Sequence, residues 1–279
     1  MDAPPDREDC RPFVAIATRM QQAGLHVPEI FEQDLEHGFL LLEDLGTRAY
    51  LGALTAESAD SLYADATGAL LRLQTAAPVQ GLPAYDRAML LREMQLFPDW
   101  LLERHLGLEL DTQERDMLEA AFACLTESAL AQPVVCVHRD FHSRNLMLLD
   151  ADNPGVIDFQ DAVAGPVTYD LVSLLRDCYV RWPADRVDAW VGDYFRRASA
   201  QLLPRDIEES VFLEWFDLMG VQRHLKAAGI FARLHHRDGK PGYLADIPRT
   251  LGYVVEVGGR RPAMNALGDF VERRVLSRI

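Results

Sequence analysis

Between Val134 and Asp161 the chain carries His138-Arg139-Asp140, then His142 and Asn145, and after a second short apolar run Asp158, Gln160 and Asp161. Two carboxylates and an amide at this spacing suit phosphoryl transfer. That reaction asks the protein for little covalent help; it needs a hydroxyl aimed at phosphorus and a metal ion absorbing charge on the phosphate oxygens. Asp140 follows the β-branched run Val134 to Val137, which reads as a buried strand, and is placed to take the acceptor's proton. Asn145 and Asp158 offer an oxygen-only pocket for a hard cation such as Mg²⁺. His142 either braces the loop by hydrogen bonding or touches substrate.

The elements that must hold these groups are local. Leu146 to Leu149 is apolar, Asp150 to Gly155 is rich in turn residues, and Val156-Ile157 returns, so a hairpin would bring Asp158 beside Asn145. The order H-R-D-x-x-x-x-N followed by a strand-borne I-D-F matches the protein-kinase catalytic loop and its metal-binding aspartate, with His138 and Arg139 as structural support. His-Arg-Asp alone is weak; the register of Asn145 and Asp158 gives it weight. The competing reading is a buried hairpin flanked by surface charge. Gly165 to Asp170 reads as a turn, with Asp170 capping a helix from Leu171 to Tyr179 or holding the catalytic loop through backbone N–H groups.

Upstream, Phe13 to Ala23 has helical spacing and ends at Gly24, Val27 to Phe31 reads as an edge strand, and Phe39 to Leu42 as a short apolar strand. Glu43-Asp44-Leu45-Gly46 follows. In a two-lobed phosphotransferase such a linker joins the lobes and pairs its backbone with an adenine edge; otherwise it is a plain strand-to-helix loop. From residue 47 the pattern is helical. Segments run over 59 to 73, over Asp86 to about Leu106 with a break at Pro98, and from a capping box at Asp111 and Glu114; others cover 185 to 201 and 206 to 236, with two more after Gly242. The expected class is α+β, and the likeness to the protein-kinase loop implies a two-lobed fold: a small strand-containing lobe, N-terminally incomplete by comparison with the family that the chain resembles, and hinge over 1–46, with a large mostly helical lobe over 47–279.

At 279 residues, 49% hydrophobic and 25% charged, the chain can bury a sizeable core. A net charge of −15 excludes nucleic acid and anionic membrane as partners, which would need a clustered basic face. No apolar run is long enough to span a bilayer and the N-terminus has no signal-peptide pattern, so the expected location is cytoplasmic. Cys10, Cys124, Cys136 and Cys178 form no C-x-x-C pair, which points to neither zinc nor disulfides.

The hairpin, the Tyr169-Asp170 turn and the helical tail resemble the aminoglycoside phosphotransferase and choline-kinase-like family. Met1-Asp-Ala-Pro-Pro5, Glu8 to Phe13, Gly38 to Gly46, Asp170 to Tyr179 and Gln222 to Arg233 are similar to the bacterial anomeric kinases of N-acetylmuramate and N-acetylglucosamine, which serve cell-wall recycling. The resemblance runs along essentially the whole chain. It implies that Asp140 activates the sugar's C1 hydroxyl, that Asn145 and Asp158 hold Mg²⁺ on ATP, and that Glu43, Asp44 and Leu45 take adenine. Gln160, Asp161, Arg176, Asp177, Arg223 and Lys226 are the substrate-side candidates, since a sugar needs convergent polar groups and a lactyl carboxylate favours Arg or Lys. Each could instead belong to a solvated or salt-bridged helix face.

The chain departs from the family in lacking the glycine-rich strand pair that covers the ATP phosphates, and with it any lysine before the hinge; the expectation is that Met1 is an internal methionine with that hairpin encoded upstream. Rival readings are a phosphotransferase for another alcohol, of aminoglycoside or choline type, and a kinase-like binding module without turnover. The preferred sugar, its anomer and the oligomeric state are not legible.

Overall fold

A computed structural model describes residues 1–4 and 9–279. Pro5, Asp6 and Glu8, used in reading the N-terminal stretch, lie outside the described residues. In chain order the elements are α1 (Arg11–Gln22), β1 (Ile30–Asp34), β2 (Phe39–Leu42), α2 (Tyr50–Ala53), α3 (Ala59–Ala76), α4 (Arg87–Met94), α5 (Thr112–Leu130), β3 (Val134–Val137), β4 (Leu146–Met147), β5 (Gly155–Val156), β6 (Val163–Pro166), α6 (Tyr169–Leu175), α7 (Ala184–Gln201), α8 (Glu209–Asp238), α9 (Ile247–Arg260) and α10 (Asn265–Phe270). The described strands pair two by two and antiparallel, as β1–β2, β3–β6 and β4–β5. No described helix is long and apolar enough to cross a membrane.

Two compact units share the chain. The first comprises Met1–Ala84, Pro133–Leu174 and Ala189–Asp206; the second comprises Tyr85–Gln132, Leu175–Asp188 and Ile207–Ile279. The first unit takes in β1 and β2, α3 and the β4–β5 hairpin.

In the first unit α1 starts with proline in its first turn, whose fixed φ suits that position, and buries Ile16, Ala17 and Met20 at helical spacing. The α3 stripe of Leu62, Tyr63, Ala66, Leu70 and Leu73 is likewise buried. β1 begins at Ile30 rather than Val27, three residues later than the apolar pattern suggests; Pro28 cannot donate to a ladder. The larger correction concerns Val163–Pro166. Its glycine and proline read as a turn, yet it forms the full partner of β3, with Val134 opposite Pro166 and Val137 opposite Val163. Proline is tolerated there because it closes the strand.

In the second unit the Asp86 side chain caps α4 through the Met89 N–H at 2.9 Å, and the helix expected to run to Leu106 is divided: α4 stops at Met94 and a π-helical segment, Phe97–His105, starts around Pro98. The capping box at Asp111 and Glu114 is formed. α8 runs through the core, and its Gly229 lies so close to the Leu96 carbonyl that a Cβ would sit 2.4 Å from that oxygen. Gly239, at φ +65°, ends the helix in the left-handed conformation.

Candidate active site

β3 delivers His138 to a fully buried position. Its backbone N–H donates to Asp170 Oδ2 at 2.7 Å, and the next N–H, of Arg139, donates to Asp170 Oδ1 at 3.0 Å. Asp170, itself fully buried at the start of α6, therefore clamps two successive amides of the loop. The clamp matters because Arg139 has φ +78°, a left-handed backbone that a side chain disfavours by about 1–2 kcal/mol. Of the two roles open to Asp170, holding the loop is the one its distances describe.

The His138 ring is threaded into the same scaffold. Nε2 lies 3.1 Å from the Ile157 carbonyl, while Nδ1 accepts the Asp140 N–H at 3.2 Å. The first contact needs a proton on Nε2 and the second a lone pair on Nδ1, so the ring is the neutral Nε2 tautomer. Burial favours the same state, lowering the His138 pKa to about 4 against the weaker opposing pull of Asp140 and Asp158.

The hairpin of β4 and β5 pairs Leu146 with Val156 and Met147 with Gly155. Both edges are covered, by His26 beside Gly155 and Ala49 beside Met147. Its turn is pinned by Asn153, which accepts the Leu149 N–H at 3.1 Å and donates to the Tyr50 hydroxyl at 2.7 Å and Asp65 at 2.8 Å. Sequence reasoning missed these anchors; the Asn-Pro-Gly signal marked a turn but could not name partners so distant along the chain.

Asn145 is where the parts converge. Its Nδ2 donates to the Asp140 carbonyl and to Asp158 Oδ2, both at 3.1 Å, and its backbone carbonyl accepts the Ile157 N–H at 3.1 Å. The amide nitrogen is thus used internally, and Oδ1 makes no hydrogen bond among the described residues. Asp158, exposed and at φ +65°, accepts from Gln160 Nε2 at 3.0 Å through its other oxygen. Asp161 is exposed beside it. The half-buried Asp140, with Asn145 and Asp158, is brought together as the spacing suggests; the backbone N–H of His142 donates to the Asp140 carbonyl at 3.0 Å, a main-chain brace that leaves the role of its ring open. A cavity of about 430 Å³ adjoins them, lined among others by Phe13, Asn145, Asp158 and Gln160. Phe13 packs against Phe159 with the rings tilted by 31° and centroids 4.8 Å apart.

At the linker, Glu43 is already engaged: its N–H donates to the Glu29 carbonyl at 2.8 Å, and its carboxylate meets His26 Nε2 at 3.2 Å and the Glu29 N–H. The main-chain groups of Asp44 and Leu45 bond to no other main-chain group among the described residues. Leu45 is buried, and its Cδ1 lies over Gly155, where a Cβ would come within 2.9 Å of it.

Arg176, Asp177, Arg223 and Lys226 belong to the second unit, where all four are buried. Arg176 pairs with Asp217 at 2.6 Å, and Arg261 holds the other Asp217 oxygen at 2.7 Å. Lys226 meets Glu93 at 3.1 Å, Glu93 is hydrogen-bonded to the Tyr85 hydroxyl, and Gln222 donates to that hydroxyl at 3.0 Å. The Asp177 carboxylate accepts the Tyr179 N–H, and Arg223 lies against the Cys178 sulfur. None lies on a solvated face, and Arg176 and Lys226 are salt-bridged, as the competing reading of these residues has it. Asp217, Arg261 and Glu93 carried no signal of these roles in the sequence. The four cysteines are free thiols.

The sequence matches the family described as phosphotransferase enzyme family over residues 1–209. It is 53% identical over 271 residues to an N-acetylmuramate/N-acetylglucosamine kinase of Pseudomonas putida, covering 97% of this chain and 80% of that protein. A kinase of the same description from Neisseria meningitidis is 44% identical, covering 93% and 78%. Among solved structures, an ethanolamine kinase of Plasmodium vivax superposes with a TM-score of 0.64 at 11% identity, over 92% of this chain and 74% of that one. The choline kinase LicA of Streptococcus pneumoniae does so with 0.59 at 12% identity, over 87% and 79%. The fold is α+β and kinase-like, of the two-lobed type.

Proposed function

The chain belongs to the phosphotransferase enzyme family, and from that premise we propose that it is an ATP-dependent kinase placing a phosphoryl group on the anomeric C1 hydroxyl of N-acetylmuramate or N-acetylglucosamine, as a step of peptidoglycan recycling in the cytoplasm. The observation that carries this reading is the 53% identity, extending over 97% of the chain, to an N-acetylmuramate/N-acetylglucosamine kinase.

The loop geometry supports the division of labour. Asp140 is the general base: it receives the C1 hydroxyl proton as that oxygen attacks the γ-phosphorus and the bond to the bridging oxygen breaks to release ADP, and its place is held by the neutral His138 ring and the Asp170 clamp. Asn145 Oδ1 and the exposed Asp158 carboxylate fit Mg²⁺ as hard oxygen donors, with the Asn145 amide nitrogen bonded to the Asp140 carbonyl and to Asp158 Oδ2. When bound, the ion neutralises charge on the phosphate oxygens. Gln160 orients Asp158, and Asp161 stands beside it for the sugar. Asp44 and Leu45 offer free backbone groups to adenine, with Glu43 contributing its carbonyl alone.

The test is ³¹P NMR of mixtures containing ATP, Mg²⁺ and, in turn, N-acetylmuramate, N-acetylglucosamine, kanamycin or choline. A sugar 1-phosphate resonance is expected with the amino sugars, and its absence with both would end this reading. Asp140→Asn is expected to lower turnover by about 10³-fold or more, with Mg-ATP binding still measurable by calorimetry.

A further inference from the structure

A second cluster, of different chemistry, lies in the helical unit. His105 closes the segment Phe97–His105, and His235 and His236 occupy the last turn of α8. One ring nitrogen from each histidine lies within 4.8 Å of those of the other two. Between His105 Nδ1 and His236 Nε2 the separation is 3.2 Å. We propose that these three imidazoles form a site for a borderline divalent transition-metal ion, Zn²⁺ above all, chemically distinct from the oxygen site at Asp158.

Spacing is the first argument. With Zn–N bonds of about 2.0–2.1 Å, two nitrogens at neighbouring corners of a tetrahedron stand about 3.3 Å apart. His105 and His236 already have that separation, and rotation of the third ring closes the remaining gap. A direct hydrogen bond between those two rings is the competing explanation of their contact, and it leaves His235 out. His235 Nδ1 is buried with no hydrogen-bond partner. An ion joining all three rings accounts for the whole cluster.

Ligand type is the second. Three neutral imidazoles suit zinc and its transition-metal neighbours, whereas Mg²⁺ prefers oxygen and keeps its waters. Charge is the third. The cluster sits at the carboxyl end of a helix of 30 residues, where the last carbonyls carry partial negative charge that favours a cation. The arginines adjacent in sequence to His236 and His105 are engaged, Arg237 with Asp238 at 2.8 Å and Arg104 over the Trp100 ring at 4.6 Å. His236 is exposed, which provides a way in. A bound ion would fasten the end of α8 to the Phe97–His105 segment, so the site acts on stability and leaves the phosphoryl-transfer chemistry to other residues.

The full chain, stripped with a chelator, is titrated with ZnCl₂ by calorimetry in excess Mg²⁺ and with CoCl₂ by visible absorption. One Zn²⁺ per chain at micromolar affinity or tighter, intense d–d bands of tetrahedral Co²⁺ and a thermal midpoint raised by a few degrees are expected. His105→Ala and His236→Ala should each weaken Zn²⁺ binding at least about tenfold and remove the cobalt bands, with circular dichroism and sugar phosphorylation unchanged. Binding no tighter than about 1 mM, or variants that bind as the parent does, would overturn the proposal.

Discussion

Replacing Asp170 by asparagine separates the geometry of the loop from its chemistry. The carboxylate accepts the His138 and Arg139 N–H groups at 2.7 and 3.0 Å in a position closed to solvent. An amide keeps one acceptor oxygen and turns an NH₂ group toward the other backbone donor. One charge-assisted bond is lost and one buried N–H is left unmatched, a stability loss of about 2–4 kcal/mol. The larger consequence falls on catalysis. Arg139 holds φ +78° at a cost of about 1–2 kcal/mol, which the two bonds offset. With one gone, the loop relaxes toward ordinary φ and carries Asp140, the next residue, away from the acceptor hydroxyl. A displacement near 1 Å at a reacting group costs about 10²-fold in rate. Asn145 and Asp158 are tied to the Asp140 loop through the Asp140 carbonyl but are also held by the Ile157 N–H and by each other, so the KM for ATP should change less than about threefold. ADP release at saturating sugar measures kcat, and urea unfolding followed by circular dichroism measures the stability loss. A folded Asp170→Asn protein with the parent's kcat would show that the clamp does not position the base.

Acid should weaken both units. Burial lowers the pKa of His138 to about 4 and of His224 to about 3, so between those values and 6.5 the folded chain binds fewer protons than the unfolded one; the stability is complete above pH 6.5 and lost below it, by about 2–3 kcal/mol per histidine at pH 4.5. Urea midpoints measured from pH 7.5 to 4.5 should fall accordingly, and a flat profile would contradict the neutral buried rings. Gly229→Ala puts a methyl group 2.4 Å from the Leu96 carbonyl oxygen, a clash with backbone that no side-chain rotation relieves; a loss of about 3 kcal/mol or more is expected in thermal unfolding, and an unchanged midpoint would mean that α8 can shift freely at that point.

The juxtaposition of the proposed chemical set was legible in the chain because it is local. Asp140, Asn145 and Asp158 are joined by a loop and a short hairpin, and apolar runs on either side announce strands that must hold them in register. Helical stripes such as Leu62, Tyr63, Ala66, Leu70 and Leu73 were legible for the same reason, since periodicity states which face is buried. Local signals misled where a residue type has two uses. Gly165 and Pro166 punctuate a turn in most contexts, yet here they end a strand whose partner lies 32 residues earlier.

Tertiary structure alone decided the partners. Asp170 could cap its own helix or clamp a distant loop, and it clamps the loop because folding brings β3 to it. Asn153 finds Tyr50 and Asp65, Arg176 finds Asp217, and His105 finds His236 across 131 residues. A sequence sets the chemistry each residue can perform and the face it shows. Which distant group meets it depends on how the buried faces pack, because closing a long loop carries nearly the same entropy cost for many candidate partners, and only the assembled core selects among them.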